Sequence, residues 1–438
     1  MKVKVIKTQK NEYMVDSCLS SYPDTKGRED SLINIYPEIE YQTVDGFGGA
    51  FTEAAATTLN KLSEKNKEKF FKLYFDKKEG IAYNYGRVHI NSCDFSLGNY
   101  TCVDEGDETL STFRVERDKT TILPMAKRAL QYGDIEIMAS PWSPPAYMKT
   151  TGQMNRGGKL KDEYKDLWAE YYAKFIDAYK ENGVEISSVS VQNEPKATQA
   201  WDSCVYTAEE ERDFVKNHLG PRMQEKGVKV FFWDHNKERI VDRSKVMLDN
   251  DKAKDYVDGV AFHWYSGDHF EELEMFHKLY PNKKLVFTEG CYEYYLGEAH
   301  LRSVAERYAH DIIGNFNNYC NAFCDWNLLL DKQGGPNHVG NYCHAPIMAD
   351  VENDVLMIND AYYYIGHFSK YIAKGAVRIG SSKFSSDIET VSFRNPNGTI
   401  VSVVLNRTEK DINFAFRLCD SIVEDSAKAH SISTYIFE

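Results

Sequence analysis

Eight β-rich runs recur along the chain up to residue 330, and the segments between them have helical periodicity. The runs are TVDGFGGAF (43–51), YGRVHI (85–90), IEIMAS (135–140), ISSVSVQNE (186–194), VKVFFWDHN (228–236), VDGVAFHWY (257–265), KLVFTEG (284–290) and NAFCDWNLLL (321–330). In the intervening stretch DEYKDLWAEYYAKFIDAYKENG, bulky residues at Tyr164, Leu167, Trp168, Tyr171, Tyr172, Phe175 and Tyr179 follow helical spacing, and Asn182-Gly183 supplies the stop. Apolar strands alternating with helices pack as a parallel sheet covered by its own crossovers. Eight such units predict an α/β fold of the (β/α)8 TIM-barrel type. A doubly wound sheet is the competing solution, but the count of eight and the missing glycine-rich phosphate turn favour the barrel.

After INDAYYYIGHFSKYI (358–372), which reads as the last helix, the texture changes. ETVSFRNPNGTIVSVVLNRTEKDINFAFRLC alternates like exposed-on-one-face strands and carries a Pro-Asn-Gly turn at 396–398; HSISTYIFE ends the chain as another strand. So short a tail cannot bury two sheets alone, so it is expected to take a strand or two from the N-terminus. The division expected is residues 1–40 as strands joining a side β-sandwich, 41–372 as the barrel and 373–438 as the C-terminal β-sandwich. With 438 residues the chain exceeds the usual single core, which suits a barrel plus a smaller module.

A formal charge of −13 argues against nucleic acid and anionic membranes as partners. No run of about 18 apolar residues occurs, so no integral membrane segment is expected. The opening MKVKVIKTQKNEYMV alternates Lys with Val and Ile and lacks the apolar stretch of a signal peptide, so it reads as a strand and the chain as cytoplasmic. The nine cysteines are scattered and form no CxxC pair, as in a reduced protein. The sequons at Asn99, Asn397 and Asn406 are then coincidental. His89, Asp234 and His235 approach a ligand set, but no HxH or HExxH spacing supports a metal, and no cofactor is expected.

In a (β/α)8 barrel the chemistry lies at the C-terminal ends of the strands, and polar residues accumulate there. The second run leads into Arg87, His89, Asn91 and Asp94, and the third into SPWSPP with Trp142. The fourth ends at Asn193-Glu194, the fifth at Trp233, Asp234 and His235, the sixth at His263, Trp264 and Tyr265, the seventh at Glu289, and the eighth at Asp325-Trp326. Glu194 and Glu289 would project into one cleft. Such a pair with aromatic flanks suits glycosidic bond hydrolysis, in which one carboxylic acid protonates the leaving oxygen and the other acts at the anomeric carbon. Rings such as Trp142 and Trp326 would stack on sugar faces, while Asp94 and Asn193 would bind hydroxyls. Each residue alone has an ordinary structural reading; His263 reads as a satisfied barrel histidine and Arg87 as an ion-pair anchor. The case rests on their meeting at one face.

The blocks VDGFGGAFTEAAA, SCDFSLGNYT, ASPWSPPAYMKT, SVQNEP, FHWY, FTEG and DWNLLLDKQGGPNHVGN stand in the order seen in glycoside hydrolase family 30, and the chain most resembles its glucosylceramidase branch. The resemblance spans about residues 41–350 and implies a barrel with a side sandwich built from both termini. It further implies that Glu194 is the acid/base and Glu289 the nucleophile of a retaining mechanism, with the two carboxyls about 5 to 5.5 Å apart. By the same resemblance Asp94 and Trp142 hold the far hydroxyls of the sugar, Asn193 binds the 2-hydroxyl, Tyr265 stands beside the nucleophile, Trp326 lines the sugar, and Arg87 sits next to Glu289. The acid/base pKa should be raised while Glu289 stays an anion.

The loop KATQAWDSCVYTAEEE after Pro195 departs from the family, which leaves the aglycone open; Trp201 is the candidate contact there. His338 stands where a bulkier aromatic is often found. The expected activity is exo-cleavage of a small-molecule or lipid β-glucoside. β-Xylosidase, β-fucosidase and β-1,6-glucanase are alternatives within the family, and a carbohydrate-binding protein on an inactive barrel is the alternative outside it.

Overall fold

The computed structural model describes residues 1–25, 27–294 and 301–438. Eight parallel strands close a barrel: β1 Gly46–Phe51, β2 Tyr85–Ile90, β3 Glu136–Pro141, β4 Ser188–Ser190, β5 Lys229–Asn236, β6 Gly259–His263, β7 Lys284–Glu289 and β8 Ala322–Asn327. They pair in sequence order, and β8 returns to β1. Each of the eight expected runs is therefore a barrel strand. The fourth is much shorter than expected: β4 stops at Ser190, and Asn193-Glu194 lies beyond it in a turn rather than at a strand tip.

The period-2 alternation of the strands builds the interior in layers. Tyr85, Met138, Phe231, Ala261, Val286 and Ala322 form an apolar layer inside the barrel. Two residues further along β2, β3, β6 and β7 the inward positions are Arg87, Ser140, His263 and Thr288, all buried. One layer of bulk thus supports one layer of polar groups. Gly48 lets β1 and β2 approach: a Cβ there would stand 1.5 Å from the Tyr85 carbonyl oxygen.

Outside the barrel the crossover helices pack their aromatic faces onto the strands. Lys165–Glu181, between β3 and β4, buries Trp168, Tyr171, Tyr172, Phe175 and Tyr179. The final helix is Asp360–Ser369.

Ten further strands form the sandwich, one hydrogen-bonded series. Four of its strands come from the N-terminus: Lys2–Gln9, Glu12–Ser20, Tyr22–Pro23 and Leu32–Thr43. That is more than the strand or two expected, because the tail's six strands leave edges that the N-terminal strands pair with. Its core is Val3, Val5, Ile33, Ile35, Phe414, Phe416, Tyr435 and Phe437 with their neighbours. Leu32–Thr43 runs directly into β1, and helix Leu301–Asn317 packs on the sandwich strand Ile388–Arg394. The buried His367 of the final helix bridges the two modules, with Nδ1 2.8 Å from Thr434 Oγ1 and Nε2 2.8 Å from Thr8 Oγ1.

Candidate active site

A buried ion network floors the open end of the barrel. Arg87 donates from Nη1 to Glu289 Oε2 (2.7 Å), from Nη2 to Asp234 Oδ2 (2.7 Å) and Asn193 Oδ1 (2.9 Å), and from Nε to Ser140 Oγ (3.0 Å). A β-bulge in β5 aims Asp234 inward: Trp233 (φ 72°) and Asp234 (φ 46°) are both left-handed, and the register with β6 shifts there. Such conformations cost about 1–3 kcal/mol each and persist where the surroundings over-determine them. Here Ser190 and Thr288 hydroxyls each donate to the Asp234 carboxylate at 2.5 Å, and His263 Nε2 lies 3.1 Å from it. Although burial opposes it, the Arg87 charge and the His263 bond hold Asp234 far below the usual carboxylate range.

Glu194 shares this strained geometry, with φ 47°. Its N–H donates to the Asp234 carbonyl (2.9 Å), and its own carbonyl accepts from Ala197 N–H (2.8 Å), fixing a turn that turns the carboxyl back over the barrel. His263 Nδ1 is 3.2 Å from Glu194 Oε1. On the other side Glu289 accepts from Arg87 and from the Tyr265 hydroxyl (2.9 Å). One hydrogen-bonded path therefore runs Glu194–His263–Asp234–Arg87–Glu289.

Proton affinities in this path are ordered differently from the expectation. Burial lowers His263, but the charge of Glu289 and its own bonds to Asp234 and Glu194 raise it to about 9. Burial would raise Glu194, yet its bond to His263 and the neighbouring His235 bring it below the usual value. Glu289 is raised, because burial outweighs the pull of His263 and Arg87, and the charge of Glu194 adds to it. Glu194 and Glu289 thus shift in opposite directions. Since the two groups titrate as a pair, a ligand that donates hydrogen bonds to one carboxylate moves the proton to the other.

Walls close around the pair to leave a cavity of about 290 Å³. Asp94, buried, accepts from Asn341 Nδ2 (3.0 Å); burial and the charge of Glu289 push it well above the usual carboxylate range. Trp142 and Trp326 line the cavity, but they stack on each other, 5.2 Å apart at 18°, with the Arg87 guanidinium 4.7 and 5.5 Å from their centroids. One face of each ring is thus covered by the other. Gln199 and Trp201 come from the loop after Pro195, and Asn341 and Cys343 from the loop after β8, so both loops build wall. His338 ties the second loop down: its N–H donates to the Asp94 carbonyl (3.3 Å), and Nδ1 is 3.1 Å from the Ser96 carbonyl.

The structure thus brings Asp94, Trp142, Asn193, Glu194, Trp201, Tyr265, Glu289 and Trp326 to one cavity, with Arg87 and His263 beneath them. Asp234 and His235, read at the end of the fifth run but given no role, also belong to the site, as do Gln199, Asn236 and Asn341, which were not singled out. Asp234 and His235 carried a signal, a charged pair ending an apolar run; Gln199 and Asn341 sit in loops whose residue types give none. Among the described residues one trio, Glu194, His235 and His263, groups three metal-type ligand atoms within 4.8 Å. Within it His263 Nδ1 lies 3.2 Å from Glu194 Oε1, and His263 Nε2 lies 3.1 Å from Asp234 Oδ1.

A (β/α)8 barrel whose open end carries two glutamates, a half-buried Glu194 and a buried Glu289 gripped by a guanidinium and a phenol, is the arrangement of a glycoside hydrolase. The comparisons agree. The glycosyl hydrolase family 30 TIM-barrel domain matches residues 44–372, and the family's β-sandwich domain matches residues 375–435. The chain belongs to glycosyl hydrolase family 30. It is similar to the lysosomal acid glucosylceramidase of Mus musculus, with 35% identity over 429 residues, 93% of this chain and 83% of that protein. Among solved structures it resembles SrfJ from Salmonella typhimurium at 38% identity and TM-score 0.98, with all of both chains covered. It also resembles the endo-β1,6-glucanase BT3312 at 29% identity and TM-score 0.90, covering 100% of this chain and 99% of that one. No described helix is long and apolar enough to cross a membrane.

Proposed function

We propose that the chain is a retaining, exo-acting β-glucosidase of the glucosylceramidase type, with Glu289 as nucleophile and Glu194 as acid/base. The observation that carries this reading is the hydrogen-bonded path that joins the two glutamates across one cavity. Arg87 and Tyr265 fix Glu289 for attack at the anomeric carbon, while Glu194 stands on the side where the loop after Pro195 would meet the aglycone. Substrate hydroxyls that donate to Glu289 stabilise its anion and shift the shared proton to Glu194. Glu289 then forms a glycosyl ester as the C1–O bond breaks, and Glu194 gives its proton to the departing oxygen. In the second step Glu194 takes a proton from water, whose oxygen attacks C1 and frees Glu289. Asp94, Trp142, Asn193 and Trp326 hold the sugar, and Trp201 meets the aglycone.

Exo-cleavage is supported by the cavity's size, at the low end for small-ligand sites, and by the two loops that wall it. The named activity of the mouse relative supports a glucoside, including a lipid glucoside. The likeness to the endo-β1,6-glucanase favours a second reading, hydrolysis of a β-1,6-linked glucan.

The experiment is a panel of initial rates on nitrophenyl β-glucoside, xyloside, fucoside and galactoside, with glucosylceramide in detergent and a β-1,6-glucan beside them. Glu289→Gln should be inactive on all. Glu194→Ala should keep first-step activity on nitrophenyl substrates and be accelerated by azide, yielding a β-glycosyl azide. Absence of any azide effect would sink the acid/base assignment. Turnover of the glucan above the glucoside would replace the exo reading with the second one, and binding without turnover would return the chain to a carbohydrate-binding role.

A further inference from the structure

Two thiols meet beside the proposed nucleophile. Downstream of β7, the short strand Tyr292–Glu293 pairs antiparallel with Cys343–His344 of the loop after β8, and Tyr294 N–H donates to the Tyr342 carbonyl. This ribbon places Cys291 Sγ 3.1 Å from Cys343 Sγ, and both cysteines are free. Cys291 Sγ is also 3.4 Å from the Tyr265 hydroxyl, which itself donates to Glu289. Cys343 is buried in the apolar cluster that holds Trp142 and Trp326. The thiol pair therefore sits two hydrogen bonds away from Glu289, through the Tyr265 hydroxyl, and joins the two segments that follow β7 and β8.

A disulfide needs the sulfurs at about 2.05 Å, so closing the bond asks for a movement of about 1 Å, within the reach of side-chain rotation. We propose that Cys291 and Cys343 are a redox-active dithiol, whose oxidation to a disulfide by a peroxide or a small-molecule disulfide reversibly lowers turnover at the Glu194–Glu289 site. The inference rests on the functional reading of that site. With a peroxide, two thiols give one disulfide and two waters; with a small disulfide, they give one protein disulfide and two small thiols. In each case the S–S bond forms as the oxidant's O–O or S–S bond breaks, and both thiol protons leave with the reduced oxidant. Oxidation draws Cys291 Sγ toward Cys343 and removes its proton, which alters the partner of the Tyr265 hydroxyl and so the grip on Glu289. The hydrogen bond to Cys343 and burial raise the Cys291 thiol well above the usual range, so its first attack on the oxidant is slow at neutral pH and quickens as pH rises. If the pair were only small apolar filler, it would stay unlinked under oxidants.

The test treats the reduced full-length chain with oxidised glutathione or hydrogen peroxide, then splits each sample between a non-reducing peptide map and a rate assay on nitrophenyl β-glucoside. The expected result is a linked peptide pair containing Cys291 and Cys343, lighter by two hydrogens. A loss of about two- to tenfold in kcat/KM, the worth of one neutral hydrogen bond, should accompany it. Dithiothreitol should reverse both. Cys343→Ser, or Cys343→Val where serine is not tolerated, should show the same rate before and after oxidant. A Cys18→Ser/Cys419→Ser variant, lacking the two exposed thiols, should still respond. The proposal is overturned by the absence of the 291–343 pair, by the pair forming with no change in rate, or by an equal loss in the Cys343 variants. Because the map and the rate are separate readouts, a reduced chain that is inactive overturns the glycosidase reading and the control of turnover with it, whereas an active reduced chain that forms the link without losing rate overturns the dithiol proposal alone.

Discussion

Arg87→Lys tests whether the guanidinium fork sets the reactivity of Glu289. The native side chain serves four acceptors at once, Glu289, Asp234, Asn193 and Ser140, through three different nitrogens. Lysine keeps the charge but brings one ammonium with three donors and no fork, so it cannot reach all four. Asp234 lies deeper and is gripped by two hydroxyls as well, so the ammonium settles toward it and the bond to Glu289 is lost. A hydrogen bond to a charged group is worth about 1.5–3 kcal/mol, which corresponds to about 1–2 pH units. The sign follows from the native balance: burial already raises Glu289 and Arg87 opposes it, so weakening Arg87 raises Glu289 further. The acid limb of kcat/KM against pH for nitrophenyl β-glucoside should move up by about one unit or more. At the optimum, kcat/KM should fall by about tenfold or more. Circular dichroism at each pH separates this from unfolding. An acid limb that does not move, in a folded variant, would refute the claim that Arg87 controls the ionisation of Glu289.

Trp201→Ala should raise KM for glucosides with bulky aglycones by up to about tenfold, the worth of one aromatic contact, while sparing breakdown of the glycosyl intermediate; equal losses on small and bulky aglycones would remove Trp201 from the leaving-group side. His367 offers a stability test. Burial holds it near 3, below its usual value, so the unfolded chain binds the proton first and stability falls as pH drops through about 6.5 toward 3. That slope is about 1.4 kcal/mol per pH unit, and His367→Gln should remove it from the pH dependence of the urea midpoint. An unchanged slope would show that another group carries the acid sensitivity.

The barrel was legible because each strand is a run of inward bulk and inward polarity separated by helical spacing. Tyr85–Arg87–His89 already shows both layers of β2. What escaped was backbone conformation. Nothing in SSVSVQNEP announces that β4 ends at Ser190 and that Glu194 is left-handed, and nothing in FFWDHN marks the bulge that turns Asp234 inward. Both depend on partners from other strands, which a local pattern does not contain. Similarly Trp142 and Trp326 were visible as pocket aromatics, but their mutual stacking is set by the closure of the barrel, which brings the ends of β3 and β8 together. The proton order of Glu194 and Glu289 is the furthest from sequence, since it depends on His263 facing three carboxylates contributed by three other strand ends.

The central claim is that Glu289 becomes covalently glycosylated while Glu194 does not. The direct measurement is intact mass and peptide mapping of the chain after exposure to 2-deoxy-2-fluoro-β-glucosyl fluoride, which slows breakdown of the glycosyl ester. The expected result is one fluorosugar per chain, attached at Glu289, absent in Glu289→Gln, with activity lost in step with labelling. Label on Glu194 or another residue, or β-glucoside turnover that yields the inverted sugar and no adduct, would contradict the account.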